Sequence, residues 1–181
     1  MNAEPAQPQL PPIDELNRLS REAFAEALKP LFETAPPLAE GLWNSRPFES
    51  YEQLLDRAEE VIAGLTFNQK IEVINAHPRI GESAAAVRQR SALSYKEQGY
   101  DAEAALNPAE RERIYRELAE LNRDYEARFG FKFVVFVNRR PKSAIIEVLR
   151  ERMQRSQEEE MAAALNAMLA IARDRLTRLR S

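Results

Sequence analysis

The chain has 181 residues, with 26 Lys or Arg against 29 Asp or Glu, which gives a formal net charge of −3. This charge favours neither nucleic acid nor an anionic membrane as a partner. The absence of cysteine and the single histidine exclude disulfides and a zinc site of the usual Cys/His kind.

The N-terminal stretch MNAEPAQPQLPP, residues 1–12, lacks the basic and apolar regions of a signal peptide. No apolar run in the chain approaches the ~18 residues that a membrane span requires. We therefore expect a cytoplasmic protein that does not cross a membrane. The Pro-rich composition predicts a flexible tail over 1–12, and the remaining length predicts one helical domain over 13–181.

Helical periodicity begins directly after the tail. The pattern predicts a helix over 20–32, because Phe24, Leu28 and Leu31 fall on one face. A turn with two prolines then leads to a brief helix through Leu42 and Trp43.

Two further helices are predicted over 50–65 and 66–76, each beginning with a capping box. The paired residues are Ser50 with Gln53, and Thr66 with Gln69. Pro78 disfavours a helical conformation in the residue before it, so the second of these helices is expected to stop near His77.

Residues 79–106 show the least regular pattern. A long helix is predicted over 107–130, with Asn107 as its N-cap, Pro108 in its first turn and Gly130 as its stop. Its apolar face consists of Ile114, Leu118, Leu121 and Tyr125.

The stretch FKFVVFV, residues 131–137, reads as a strand by propensity, but no partner strand is evident. A buried extended segment is at least as consistent with its composition. Two helices, over about 142–155 and 157–179, complete the chain. The sequence thus predicts an all-α, multi-helix single domain with one buried extended segment at about 131–137.

The last predicted helix carries an arginine on its apolar side. Arg175 falls within or beside the apolar face at 100° per residue, whereas Arg173, Arg178 and Arg180 fall outside it. The apolar face consists of Met161, Leu165, Met168, Ala172, Leu176 and Leu179. A buried guanidinium requires an anion. That anion is either a carboxylate of the protein or the carboxylate of a ligand, which arginine binds in a bidentate manner.

His77 and Glu97 carry weaker signals. A lone histidine is more often structural than catalytic, but His77 precedes a proline on a polar corner, and imidazole titrates near neutrality. Glu97 lies beside Lys96 and Gln98, and the pattern alone indicates a solvated surface charge.

Four motifs occur in a fixed order along the chain. They are NAHPRIGE (75–82), SYKEQ (94–98), LAELNRDYEARFGFKFVVFVNRRPKSAIIEVLRERM (118–153) and IARDRL (171–176). In this combination the chain resembles the 2-oxo-4-hydroxy-4-carboxy-5-ureidoimidazoline (OHCU) decarboxylase family over roughly residues 15–180. The "HPRI" form is similar to that of the bacterial subgroup, and Arg79 is a candidate second cation near a substrate carboxylate.

The resemblance implies which residues form the site. The family's catalytic histidine falls on His77 and its substrate-holding arginine on Arg175. Its other site positions fall on Pro78, Ser94, Glu97 and Gln98. The backbone of Phe133, Val134, Val135, Phe136 and Val137 is similar to the stretch that contacts the ring amides. Glu97 therefore becomes a catalytic candidate through the resemblance alone.

The resemblance also implies the activity: a carboxy-lyase of purine metabolism that decarboxylates OHCU to (S)-allantoin and CO2 in urate degradation. Family members are all-α, use neither metal nor organic cofactor, and are commonly homodimers. Two alternatives remain at this level. One is a catalytically silent helical binding module, and the other is a decarboxylase or lyase of a related small carboxylated heterocycle.

Overall fold

A computed structural model describes residues 8–83, 86–87, 92–100 and 105–179. Within these ranges the chain forms nine α-helices and no strand, which confirms the predicted all-α class. The helices are α1 (Ile13–Leu16), α2 (Arg21–Phe32), α3 (Pro36–Asn44), α4 (Tyr51–Gly64), α5 (Phe67–Asn75), α6 (Ala92–Glu97), α7 (Pro108–Phe129), α8 (Lys142–Arg152) and α9 (Gln157–Leu179).

The helix starts follow the predicted caps, with one correction. Thr66 and Gln69 form the complete capping box at the start of α5, and Asn107 accepts the Ala109 N–H at the start of α7. At α4, however, Ser50 accepts the Gln53 N–H while the Gln53 side chain binds the N–H of Glu49. The predicted box at Ser50 is therefore only half formed.

The helix ends agree with the sequence except at α8. Helix α5 ends at Asn75, two residues before His77, and Gly130 ends α7 with φ +83°. The predicted helix over 142–155 ends earlier, at Arg152. The reason is that Ser156 already caps α9 by accepting the Glu159 N–H.

The predicted apolar faces form the core. Helix α9 packs against α2, α4 and α5, and α7 packs against α8. Phe24, Leu28, Leu118, Met168 and Ala172 are fully buried. Leu121 and Leu179, which were predicted on apolar faces, are only partly buried at the core's edge.

Residues 131–137, called the 131–137 segment below, connect α7 to α8 without forming helix or strand. Phe131 and Phe133 are buried. The N–H of Lys132 donates to the Asn75 side chain at 3.0 Å. Arg152 donates to the Val134 carbonyl at 2.9 Å. The predicted buried segment without a strand partner is confirmed, and side chains rather than a sheet hold it in place.

A buried ion pair underlies this segment. Arg152 Nε donates to both carboxylate oxygens of Glu160, at 2.8 and 3.1 Å, and the Tyr125 hydroxyl donates to the same carboxylate at 2.9 Å. Glu160 is 0% exposed. Burial, followed by the Glu160 charge, raises the pKa of Tyr125.

The predicted tail is described only in part, because residues 1–7 lie outside the described ranges. Leu10 packs against the core, and the Tyr51 hydroxyl donates to the Pro11 carbonyl at 2.6 Å. The last tail residues thus contact the helical domain. No helix in the described part of the chain is long and apolar enough to span a membrane.

Candidate active site

A cavity of about 540 Å³ opens between α6, α7, α8, α9 and the 131–137 segment. The site residues predicted from the sequence, with the exception of Arg79, line it. These are His77, Pro78, Ser94, Glu97, Gln98, Phe133, Val134, Val135, Phe136, Val137 and Arg175. The structure therefore brings together residues up to about 100 positions apart in the sequence.

The corner after α5 carries His77 into this cavity. The Lys132 side chain donates to the His77 carbonyl at 3.2 Å, and Asn122 donates to the Ile80 carbonyl at 2.9 Å. Gly81 adopts φ +78°, and a Cβ there would lie 2.9 Å from the Leu118 side chain. The corner is thus fixed from two sides and requires glycine at its end.

The imidazole of His77 is 3% exposed. Neither ring nitrogen has a hydrogen-bond partner among the described residues. Burial, followed by the positive charge of Arg175, lowers its pKa from 6.5 to about 3. The charge of Glu97 and the backbone of Val73 act in the opposite direction. His77 is therefore neutral at pH 7, and it lines the cavity where a ligand would bind.

Arg175 is 1% exposed, as its place on the apolar side of α9 predicted. Its Nε and Nη2 each donate to one oxygen of Glu97, both at 2.8 Å. Nη2 also donates to Glu33 at 3.0 Å and to the Ser94 hydroxyl at 2.9 Å. Protein carboxylates therefore supply the anion that Arg175 requires, which matches the first of the two alternatives.

Glu97 is not the solvated surface charge that the local pattern indicated. Its side chain is 17% exposed and also accepts a hydrogen bond from Arg178 at 2.8 Å. Arg178, predicted to face solvent, is 41% exposed and lines the cavity, because its long side chain reaches back across the helix surface. Arg173 does face solvent, and Arg180 lies beyond the described residues.

Gln98 binds the corner next to His77. Its side chain accepts the Gly81 N–H and donates to the Arg79 carbonyl, both at 3.1 Å. Its own carbonyl accepts from Lys142 at 2.6 Å. These contacts suit a residue that orients the His77 corner at least as well as one that binds substrate.

Arg79 does not lie where a second cation for the substrate would be needed. Its guanidinium binds both carboxylate oxygens of Glu126, at 2.5 and 3.0 Å, and also contacts Glu82. The lining of the cavity does not include it. The suggestion that Arg79 adds a charge beside the substrate carboxylate is wrong, because its guanidinium is paired with the carboxylates of Glu126 and Glu82 outside the cavity.

Two residues at the site were missed in the sequence. Glu33 follows α2 with φ +55° and accepts hydrogen bonds from both Ser94 and Arg175. Lys142 is 6% exposed and lies 4.0 Å from the centre of the Tyr100 ring. No local sequence pattern marks either residue as part of a site, since both lie at helix ends, where charged residues are common.

The buried imidazole gives a pH dependence of stability. With a pKa of about 3 in the folded chain against 6.5 when unfolded, His77 binds a proton more readily in the unfolded state. We expect the free energy of unfolding to fall as the pH drops below about 6.5. Urea denaturation at pH 7 and pH 5 measures this fall, which should be smaller in His77→Asn. Equal falls in the two proteins would contradict the neutral, buried imidazole.

The chain is similar to known proteins over most of its length. Residues 17–177 match the family described as OHCU decarboxylase. The chain is 29% identical over 164 residues to a 2-oxo-4-hydroxy-4-carboxy-5-ureidoimidazoline decarboxylase of Haloferax volcanii, covering 91% of this chain and 93% of that protein. It is also 29% identical to the Xenopus laevis protein of the same name, covering 82% and 83%.

A solved structure shares the fold. The crystal structure of an OHCU decarboxylase in the presence of (S)-allantoin superposes with a TM-score of 0.64 at 20% identity, covering 89% of this chain and 98% of the other. A bifunctional protein of uric acid degradation from Bacillus subtilis is 30% identical over 91% of this chain, which corresponds to 32% of its own length.

Proposed function

The chain belongs to the OHCU decarboxylase family and is a carboxy-lyase of urate degradation, and from this premise we propose how its cavity converts OHCU into (S)-allantoin and CO2. One observation carries the proposal. The cavity unites an imidazole that has no partner in the described structure with an ion-paired Glu97 and the 131–137 segment.

Backbone donors of the 131–137 segment bind the ring. The N–H groups of Phe133–Val137 make no hydrogen bond within the described ranges, although all five residues line the cavity. Unpaired backbone donors in a partly buried wall are costly unless a ligand pairs with them. A ureido-substituted ring offers carbonyl acceptors for these groups and N–H donors for carboxylates.

Glu97 accepts the ureido or ring N–H groups of the substrate. Arg175 and Arg178 hold its carboxylate in place, while each oxygen retains lone pairs for a further donor. Among the described residues, Arg175 Nη1 makes a single hydrogen bond, 3.3 Å to the Pro30 carbonyl, so one of its N–H groups remains for the substrate. Arg175 thereby orients Glu97 and also contacts the ring.

Decarboxylation breaks the carbon–carbon bond to the carboxylate and leaves its electron pair on the ring. The ring C=N of the substrate accepts that pair, so the electron sink lies in the substrate itself. Neutral His77 accepts the proton of the adjacent hydroxyl and promotes the loss of CO2. A proton delivered to one face of the ring carbon then sets the S configuration.

The first experiment follows (S)-allantoin by circular dichroism while urate oxidase and hydroxyisourate hydrolase generate OHCU. With this protein present, the signal should rise faster than spontaneous decay allows. Enzymatic release of CO2 from a related carboxylated heterocycle, with no acceleration of OHCU decay, would favour that heterocycle as the substrate. An unchanged spontaneous rate that ends in racemic product would favour a silent binding module.

Replacing Arg175 with lysine tests its double role. Lysine keeps a positive charge but loses the planar pair of donors that binds both oxygens of Glu97. We expect the free energy of unfolding to fall by about 1.5–3 kcal/mol and the rate of (S)-allantoin formation to fall with it. Urea denaturation and the dichroism assay measure the two effects. Full activity in a less stable protein would restrict Arg175 to a structural role.

Three further expectations complete the proposal, of which the dimer and the independence from cofactors rest on the family resemblance. We propose that the protein is cytoplasmic and assembles as a homodimer, and that it requires no metal or organic cofactor. Sedimentation equilibrium of the purified protein tests the dimer, and activity after exhaustive dialysis against a chelator tests the independence from metal.

A further inference from the structure

The turn that follows the 131–137 segment has an unusual backbone. The Arg140 N–H donates to the Val137 carbonyl at 3.0 Å and closes a turn over four residues. Its two central residues, Asn138 and Arg139, have φ values of +47° and +63°. Asparagine tolerates this conformation, and glycine is the preferred second residue. An arginine there is unfavourable for the backbone, so its side chain requires a separate explanation.

Both arginines of this turn line the cavity and are exposed. Arg140 Nε donates to the Val137 carbonyl at 3.0 Å, and Nη2 donates to the Phe136 carbonyl at 2.6 Å. These two bonds hold its guanidinium at the end of the segment proposed to bind the ring. Neither Arg139 nor Arg140 has a carboxylate within ion-pair distance in the described part of the chain.

The two arginines that α9 contributes to the cavity are instead paired with carboxylates. Arg175 is paired with Glu33 and Glu97, and Arg178 with Glu97 and Asp174. The positive charge that α9 brings to the cavity is thus already matched by protein carboxylates. A ligand carboxylate entering the cavity meets uncompensated positive charge at the Arg139–Arg140 turn.

We propose that Arg139 and Arg140 bind the carboxylate of the incoming substrate and distinguish the anionic substrate from the neutral product. This inference rests on the proposed function, since it takes OHCU as the ligand. Two guanidinium groups at one turn suit a carboxylate, because Arg139 offers paired N–H donors and Arg140 retains those of its Nη1. When CO2 leaves, the group that they bind leaves with it.

This arrangement has a kinetic consequence. Attraction between exposed guanidinium groups and an anion raises the capture rate and weakens with ionic strength. A neutral ring experiences no such attraction, so product release is not slowed by the same residues. The turn therefore improves substrate capture without increasing inhibition by (S)-allantoin.

Arg139→Gly provides the sharpest test, because glycine suits the positive φ and removes only the side chain. We expect the thermal midpoint to rise while KM for OHCU increases ~10-fold, about the loss of one charge-assisted hydrogen bond. The inhibition constant of (S)-allantoin should change less than about twofold, as an uncharged ligand loses little from a missing charge. Arg140→Gln should raise KM in the same way.

Arg18→Gln is the matched control, since Arg18 is exposed and does not line the cavity. It removes one positive charge and should leave KM unchanged. An unchanged KM in both turn variants, with an active wild-type protein, would overturn this inference alone. A parallel increase in KM and in the allantoin inhibition constant would also overturn it, because the turn would then recognise the ring. A wild-type protein that forms no (S)-allantoin would instead refute the proposed function.

Discussion

Replacing His77 with asparagine is expected to lower kcat by ~10²–10⁴-fold, the contribution typical of a positioned acid or base. Asparagine retains a polar side chain at the corner but cannot accept and return a proton. The corner itself is held by Lys132, Asn122 and Gln98, which bind its backbone and make no hydrogen bond to the imidazole. The variant should therefore remain folded, with the loss confined to the chemical step.

The measurement is the initial rate of (S)-allantoin formation by circular dichroism, with KM determined in the same series. Urea denaturation at pH 7 provides the control for folding, since both side chains are uncharged there. A change in KM with an unchanged kcat would make His77 a binding residue only. Turnover equal to wild type would remove it from the mechanism.

The position of Arg175 was predictable from the sequence, but its partners were not. Helical periodicity fixes which side of α9 a residue occupies, and Arg175 is buried as that periodicity requires. Glu33 and Glu97 reach it from 142 and 78 positions away. No local pattern encodes such contacts, so Glu33 was missed and Glu97 was assigned to the site only through the family resemblance.

For the 131–137 segment, too, some features were predictable from the sequence and others were not. Its composition predicted burial, and the lack of a partner strand predicted that its backbone would not join a sheet. What could not be read from the sequence is how the segment is held. Lys132 binds it to the end of α5, and Arg152 binds its Val134 carbonyl from α8. Neither role was indicated by the sequence, because the partners of both side chains lie on other elements.

The Arg152–Glu160 pair thus links the stability of the fold to the shape of the cavity. It lies beneath the segment that lines the cavity, and Arg152 also packs over the Phe133 ring at 4.6 Å. Arg152 Nη2 is buried and has no hydrogen-bond partner among the described residues. The guanidinium therefore depends strongly on Glu160 for compensation of its charge.

Glu160→Gln is expected to lower the free energy of unfolding by about 3–5 kcal/mol, the cost of leaving one partner of a buried ion pair without its counter-charge. Glutamine has nearly the same shape and still accepts the Tyr125 hydroxyl, so the change isolates the charge. The midpoint of urea denaturation at pH 7 measures the effect. Glu158→Gln, on the exposed first turn of the same helix, is the matched control and should cost only a few tenths of a kcal/mol.

The same substitution should also lower activity, because an uncompensated Arg152 is drawn toward water and releases the Val134 carbonyl. Replacing both members of the ion pair with apolar side chains distinguishes the loss of stability from the loss of activity. The double variant Arg152→Met with Glu160→Leu should recover much of the lost stability, as buried ion pairs are often replaceable by apolar side chains. Its activity should stay low, since nothing then holds the 131–137 segment at Val134. Recovery of both stability and activity would show that the pair serves the fold alone.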